Sequence, residues 1–236
     1  PSHERPSIAL VEYLKEKLIH INQDINFSDT ISAERFYKGY SEGFSWIKSS
    51  YDVYRNITDI LLEDIFNDGK KNGIYLLSGY AGSGKTIILK QFSWNACLKR
   101  NGNVFYLDEG GIIEIDEIIE LAKLINEQIV IVIDDILDHK DEIIDLYKTI
   151  LNLDLNLKIL TTTRVNEWNI AGNNLEPLVS SQYDVLDMDD NEVNGLLDKL
   201  TKNNLLGVLK EIEPAERIHY LKSKLRNQLL VALHEV

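Results

Sequence analysis

The spacing of apolar residues divides the chain into a helical N-terminal part, a strand–helix alternation and a helical C-terminal part. Apolar residues recur at helical spacing over residues 7–22, with Ser7 as the expected N-cap, and again over residues 56–67. Between them, residues 27–54 are irregular and rich in aromatic side chains, Phe27 among them. These patterns predict two amphipathic helices joined by an aromatic segment.

From residue 73 onward, short apolar runs alternate with longer helical segments. Strands are predicted at 74–78, 104–107, 129–133, 157–161 and 182–186. Helices are predicted at 85–100, 116–126, 140–151 and 165–170. This alternation is typical of a parallel sheet with crossover helices. We therefore expect an α/β fold in which a parallel five-stranded sheet with flanking helices follows an N-terminal helical and irregular segment.

After residue 188 the pattern is helical to the end, which predicts a C-terminal helical subdomain. The expected division is an N-terminal linker segment at 1–72, an α/β core at 73–188 and the start of the helical subdomain at 189–236. Because the chain begins at Pro1 and ends inside an apolar helical pattern, we expect it to be a piece of a longer polypeptide.

Composition narrows the classes of function. The 236 residues include 38 acidic and 25 basic side chains, and the resulting formal charge of −13 argues against a nucleic-acid partner. No run approaches the roughly 18 apolar residues of a membrane span, so no membrane partner is expected. The single cysteine, Cys97, excludes an internal disulfide and favours a reducing compartment, the cytoplasm. The histidines show no metal-ligand spacing, and His139 is expected to be a surface or packing residue, with a role near the acidic residues 134 and 135 as the alternative.

Residues 79–86 read Gly-Tyr-Ala-Gly-Ser-Gly-Lys-Thr, a complete G-x-x-x-x-G-K-[ST] phosphate loop between a predicted strand and a predicted helix. Its glycines let successive backbone N–H groups point at phosphate oxygens. Lys85 is expected to bridge the β- and γ-phosphates, and the Thr86 hydroxyl to be a ligand of Mg²⁺. The loop residues expected to contact the nucleotide are Gly79, Gly82, Ser83, Gly84, Lys85 and Thr86. The alternative is a glycine-rich turn that happens to carry a lysine.

Two acidic residues directly follow the apolar run 129–133. Because a phosphate loop needs a carboxylate to hold Mg²⁺, Asp134 is the candidate on the metal side. Asp135 is the candidate for orienting or deprotonating the attacking water. The alternative is that the pair caps the next helix or starts a turn.

The predicted strand 157–161 continues into three threonines and Arg164. Where such a strand lies between those carrying the phosphate loop and the acidic pair, its end faces the γ-phosphate. A guanidinium group there can report that phosphate, because its planar fork matches the oxygens. Arg164 is therefore the candidate sensor, and an ordinary solvent-facing residue at a helix start is the alternative.

The nucleobase is expected against the segment that precedes the phosphate loop. Tyr54 and Arg55 are the candidate contacts there, together with Tyr37. Aromatic packing is the alternative, because the whole segment 27–54 is rich in aromatic side chains.

Together these features resemble the STAND class of signal-transducing NTPases. The resemblance rests on the loop 79–86, the strand 129–133 with its paired aspartates, the strand end 162–164 and the helical segment after the sheet. Within that class the chain is most similar to the bacterial antiphage-defence branch, in which the NTPase is often fused to an N-terminal sirtuin-like effector and C-terminal helical repeats. The segment 36–55 resembles the linker of those proteins, and so does the tail 225–233.

The resemblance implies a nucleotide switch of an antiviral defence protein. Such proteins hold ADP when closed, exchange it for ATP after a trigger binds elsewhere, and then oligomerise to activate an effector. The implied cofactors are ATP or ADP with Mg²⁺, and the implied hydrolysis is slow. The implied partner is a second copy of the chain, with the effector and the trigger-sensing domain outside the present residues.

Other functions stay open at this point. An AAA-type mechanoenzyme ATPase would share the phosphate loop, but Asp135 stands where a motor needs glutamate, and the acidic composition also counts against it. A non-hydrolysing nucleotide-binding structural module would differ only in releasing no phosphate from ATP. A small-molecule kinase would need a lid of arginines, for which 188–236 offers little beyond Arg217 and Arg226.

Overall fold

The computed structural model describes residues 5–25, 31–40 and 43–225, so Phe27 and the tail beyond residue 225 lie outside the described part. Within that part, six strands form one sheet. The strands are β1 (Leu18–Ile21), β2 (Gly73–Gly79), β3 (Asn103–Leu107), β4 (Ile129–Ile133), β5 (Leu157–Arg164) and β6 (Val179–Asp184).

Helices precede, connect and follow these strands. They are α1 (Ile8–Glu16), α2 (Ala33–Tyr37), α3 (Ser45–Lys48), α4 (Ile57–Asn67), α5 (Lys85–Arg100), α6 (Ile115–Leu124), α7 (Lys140–Asn152), α8 (Val165–Ala171), α9 (Asp190–Lys202) and α10 (Pro214–Leu225). None of the helices in the described ranges is long and apolar enough to cross a membrane.

The strand order is β1-β3-β4-β5-β2-β6. β2 to β6 run parallel to their neighbours, which confirms the predicted parallel five-stranded sheet. β5 lies between β2 and β4, as the interpretation of Arg164 required. β6 begins at Val179 instead of residue 182, so its predicted position was a few residues too late.

The strand β1 was not predicted, and it corrects the expectation of a single helix over residues 7–22. The helix α1 begins after Ser7, whose side chain accepts a hydrogen bond from the Leu10 amide, but it ends at Glu16. Residues Leu18–Ile21 instead form β1, which pairs antiparallel with β3. Ile19 and Ile21 are β-branched, and a pairing partner far along the chain outweighs the local helical spacing.

The sheet is buried on both faces. The side chains of β4 alternate between the two faces and are all fully buried, which explains its continuous run of β-branched residues. One face packs against α1, α6, α7 and α8, and the other packs against α4 and α5. A third apolar cluster joins α9 and α10 to Tyr37 of α2 and to Met188. The C-terminal helices therefore contact the segment that precedes the sheet.

Candidate functional site

The phosphate loop lies at the carboxyl end of β2, where the parallel strands β2, β4 and β5 all end at one edge of the sheet. Gly82 and Gly84 have φ angles of 73° and 90°, a region that disfavours other residues, so the sharp curl of the loop depends on both glycines. Gly84 is also the N-cap of α5. The amino end of a long helix therefore opens directly beneath the loop, where it attracts anions.

Lys85 folds back across this loop. Its Nζ donates to the carbonyl oxygens of Gly79 at 3.1 Å and Tyr80 at 2.9 Å. Burial lowers the pKa of the Lys85 ammonium, and the nearby carboxylate of Asp134 opposes that shift. The side chain thus keeps a cation inside the curl of the loop, at the place where phosphate oxygens would approach.

Asp134 is hydrogen-bonded to hydroxyl groups of two other elements. Its carboxylate accepts hydrogen bonds from Thr86 Oγ1 at the start of α5 and from Thr162 Oγ1 on β5. A hydroxyl and a carboxylate in contact are the kind of oxygen donors that Mg²⁺ prefers, so these residues fit the ion. Among the described residues no three His, Cys, Asp or Glu side chains form a metal-binding group.

Asp135 adopts an unusual backbone conformation beside Asp134. Its φ angle is 52°, which is left-handed and uncommon for residues other than glycine. Its backbone N–H donates to Thr162 Oγ1 at 2.9 Å, and its carboxylate accepts from the Leu137 N–H at 3.2 Å. Burial raises the pKa of the Asp135 carboxyl, and the charges of nearby carboxylates raise it further. A raised pKa makes the carboxylate a stronger proton acceptor.

Arg164 ends β5 and lines the same cavity as the loop. Its side chain is about half exposed, and Nη1 lies 2.8 Å from Glu167 Oε1 on α8. An exposed pair of this kind contributes little to stability, so the guanidinium can leave Glu167 at small cost.

These residues line one cavity of about 470 Å³, which falls within the usual range for small-molecule sites. At one end of the cavity are the loop, Asp134, Asp135 and Arg164. The lining also includes the apolar side chains of Phe36, Tyr37, Val53, Ile87, Met188 and Leu196, beside the charged side chains of Asp52 and Arg55; most of the apolar ones belong to the cluster around α9. The cavity therefore has a charged end at the sheet edge and an apolar chamber between the N-terminal segment and α9.

Arg55 and Tyr54, two of the candidates for contact with the nucleobase, have different surroundings in the structure. Arg55 lines the cavity, is only 6% exposed, and donates from Nη2 to the Leu186 carbonyl at 2.7 Å. Tyr54 is not among the residues of the cavity wall, and its hydroxyl donates to Asp59 at 2.6 Å. Tyr54 thus lies apart from the cavity wall, and its expected contact with the base stays a prediction.

Gly79 and Ser83 are expected to contact phosphate, but they are not part of the cavity wall that the neighbouring loop residues form. Gly79 contributes its carbonyl to Lys85, and a Cβ at this position would come within 2.6 Å of Ser83 Oγ. The Ser83 hydroxyl is buried and has no hydrogen-bond partner in the described part of the chain. Gly79 and Ser83 therefore lie against each other within the loop. Their expected contact with phosphate stays a prediction.

Sequence reasoning missed several residues of the cavity wall. Thr162 was treated as a strand former, although its hydroxyl bonds Asp134. Asp108 and Glu109 line the cavity, and their position directly after β3, like that of Asp134 after β4, could have identified them. His139 also lines the cavity, which agrees with the alternative of a position near the acidic pair and not with a surface or packing position.

The sequence matches a family of known proteins over most of the sheet and the site. A model of the family described as Novel STAND NTPase 5 matches residues 34–176. No protein with a curated description matches the chain.

Solved structures share the fold at low sequence identity. The Saccharomyces cerevisiae Hsp104 chain in an extended complex with casein matches with a TM-score of 0.57 and 16% identity over 94% of this chain and 40% of that one. The Hsp104–ADP complex from the same organism matches with 0.56 and 17%, over 94% and 32%. A point mutant of Thermotoga maritima RuvB matches with 0.52 and 13%, over 79% and 62%. This chain thus spans about two fifths of the Hsp104 chain in the casein complex.

Proposed function

Since this chain belongs to the Novel STAND NTPase 5 family, we propose that it binds ATP with Mg²⁺, hydrolyses it slowly, and uses the bound nucleotide as an oligomerisation switch in an antiviral defence protein. Family and fold together make it a nucleotide-binding P-loop NTPase of α/β architecture. The slow turnover, the defence role and the switch are the proposed refinements.

The observation that carries the switch is that one cavity is shared by the phosphate loop and α9. Lys85 and Thr86 line its charged end, whereas Met188 and Leu196 line its apolar end. A nucleotide that fills the cavity contacts both the sheet edge and the C-terminal helices. A ligand shifts a conformational equilibrium only through contacts that differ between states, and a cavity that both elements line supports the proposal that the nucleotide makes such contacts.

Each residue at the charged end has a proposed role. Lys85 would transfer its hydrogen bonds from the loop carbonyls to the β- and γ-phosphates. Thr86 and Asp134 would hold Mg²⁺, which offsets phosphate charge when bound. Asp135 would orient and deprotonate the attacking water, and its raised pKa favours that role.

Slow turnover is supported by the geometry at Asp135. Its side chain is one methylene shorter than that of glutamate and is already engaged by the Leu137 N–H at 3.2 Å. That hydrogen bond lowers the pKa of the carboxyl, against the raising effect of burial, and so weakens Asp135 as a proton acceptor. A slow step suits a switch, because the ATP-bound state has to outlast the signal.

Three measurements on the purified chain test this proposal. Titration calorimetry should show binding of ATP and ADP in the presence of Mg²⁺. Phosphate release should stay well below about one turnover per second, the lower limit for typical enzymes. Light scattering should show a higher mass with ATP than with ADP.

The alternatives give different results. Faster turnover would favour an AAA-type mechanoenzyme, and no phosphate release at all would favour a non-hydrolysing structural module. An identical mass in ATP, in ADP and without nucleotide would contradict the switch.

Replacing Arg164 with alanine should reduce ATP affinity about ten- to hundredfold and change ADP affinity much less. Only the γ-phosphate loses a guanidinium partner, and a charge-assisted hydrogen bond of this kind contributes about 1.5–3 kcal/mol. Calorimetric titration of both nucleotides measures the difference. If the switch depends on this contact, the variant should also remain a monomer in saturating ATP.

Glu167→Ala provides the matched control for Arg164, since it removes the other half of the 2.8 Å pair. Its ATP affinity should equal or exceed that of the wild type, because the guanidinium is released. Equal losses of ATP and ADP affinity in Arg164→Ala would mean that Arg164 only supports the fold.

A further inference from the structure

Gln91 lies on α5, six residues after Lys85 and therefore about 9 Å further along the helix axis. It is fully buried and does not line the cavity. Sequence reasoning gave no role to this residue, which stands on an otherwise largely apolar helix face. A polar side chain in such a position needs hydrogen-bond partners, and those partners reveal what it holds.

All partners of the Gln91 amide lie in one short stretch, residues 50–58, here termed the wall segment. Nε2 donates to Asp52 Oδ2 at 2.7 Å and to the Val53 carbonyl at 2.6 Å. Oε1 accepts from the Arg55 backbone N–H and from Thr58 Oγ1, both at 3.1 Å. Every donor and acceptor of the amide is therefore used to fasten the wall segment to α5.

The wall segment is also part of the cavity. Asp52, Val53 and Arg55 line it, beside the apolar chamber. Gln91 thus determines the position of a wall that the nucleoside part of a bound nucleotide would contact. Gln91 itself does not line the phosphate end of the cavity.

On its other side, the wall segment is fastened to α9. Arg55 Nε lies 3.2 Å from Glu192 Oε2 in a buried ion pair, and the Asn56 N–H donates to Glu192 Oε1 at 2.8 Å. Asn56 Nδ2 donates to Asp189, the N-cap of α9, at 2.8 Å. Lys199 donates to the Ser50 carbonyl at 2.5 Å. Hydrogen bonds therefore connect α5, the wall segment and α9 without a break.

We propose that Gln91 is a positioning residue for nucleoside recognition, and that the wall segment it holds relays occupancy of the apolar chamber to α9. This inference rests on the proposed binding of ATP. The phosphates and the nucleoside are then held by different residues. The loop binds the phosphates, whereas Gln91 positions the surface against which the nucleoside binds. Loss of Gln91 should then affect only ligands that have a nucleoside.

Two variants of Gln91 test this separation. Gln91→Glu keeps both acceptor interactions, with Arg55 and Thr58, but loses both donors and places a carboxylate against Asp52. Gln91→Met keeps a similar volume and removes the amide altogether. Each should weaken ATP and ADP binding about tenfold or more, which corresponds to the loss of at least one net hydrogen bond. Both should bind inorganic tripolyphosphate with Mg²⁺ as the wild type does.

Ser93→Ala is the matched control. Ser93 is another fully buried polar residue of α5, but its hydroxyl donates only to the Leu89 carbonyl of the same helix, at 2.8 Å. This variant should bind ATP, ADP and tripolyphosphate with wild-type affinity. Hydrogen exchange gives a second readout: ATP should slow exchange of the α9 amides in the wild type and in Ser93→Ala, but not in the Gln91 variants.

The outcomes are distinct. A parallel loss of ATP, ADP and tripolyphosphate affinity would mean that Gln91 merely maintains α5, and unchanged nucleotide affinity would mean that the wall does not contact the nucleoside. Either result overturns the inference. If the wild type binds neither ATP nor tripolyphosphate, the proposed function itself fails, and the inference fails with it.

Discussion

Replacing Lys85 with alanine is expected to abolish measurable ATP binding while leaving the fold intact. The ammonium lies within the curl of the phosphate loop and donates to the Gly79 and Tyr80 carbonyls, at 3.1 and 2.9 Å. It therefore contributes charge where the β- and γ-phosphates would bind and contributes little to the packed core. Charge-assisted contacts to two phosphates are lost together, which is worth about a hundredfold or more in affinity.

Calorimetry measures the loss of ATP binding, and thermal unfolding checks that the fold remains. Lys99→Ala is a suitable control on the same helix, because Lys99 pairs with Asp59 at 3.0 Å and is absent from the cavity wall. If Lys85→Ala binds ATP within about threefold of the wild-type affinity, the assignment of residues 79–86 as the phosphate site is wrong. A loss that small is less than the loss of even the weakest net hydrogen bond to a charged group would cause.

Asp134 and Asp135 should respond differently to substitution. Asp134→Ala removes the carboxylate that faces Thr86, so the enhancement of ATP affinity by Mg²⁺ should largely disappear. Binding measured with a chelator in place of Mg²⁺ should match that of the wild type. Asp135→Asn should keep ATP and Mg²⁺ bound and slow phosphate release about 10²- to 10⁴-fold, the usual contribution of a general base.

Paired titrations with Mg²⁺ and with chelator, followed by single-turnover phosphate release, separate the two roles. Asp135→Asn retains an oxygen that can accept from the Leu137 N–H, so the local turn should persist. If both variants lose binding equally, the division between a metal-side and a water-side carboxylate is wrong.

Local signals made the central part of the fold predictable. The run Ile129–Ile133 has only β-branched residues, and the strand is buried on both faces. The octet 79–86 likewise determines its own loop shape, because Gly82 and Gly84 adopt left-handed backbone conformations. In both cases the residues that create the signal also make the structure.

The features that sequence missed depend on residues far apart in the chain. β1 exists because Leu18 pairs with Leu107, and the contact of Thr162 with Asp134 requires two neighbouring strands to end together. Gln91 has no local signal, since all the partners of its side-chain amide lie more than 30 residues earlier. The distinction between Arg55 and Tyr54 depends on which side of the wall segment faces the cavity.

The central position of β5 also determines when this site can form during synthesis on the ribosome. β5 lies between β2 and β4, yet the chain makes it after both of them. Until residues 157–164 emerge, β2 has neither of its partners, β5 and β6, and Asp134 lacks the Thr162 hydroxyl. A nascent chain at that stage exposes unpaired strand edges, which favour misassembly. Nucleotide binding by the growing polypeptide would therefore report the moment at which its last central strand is inserted.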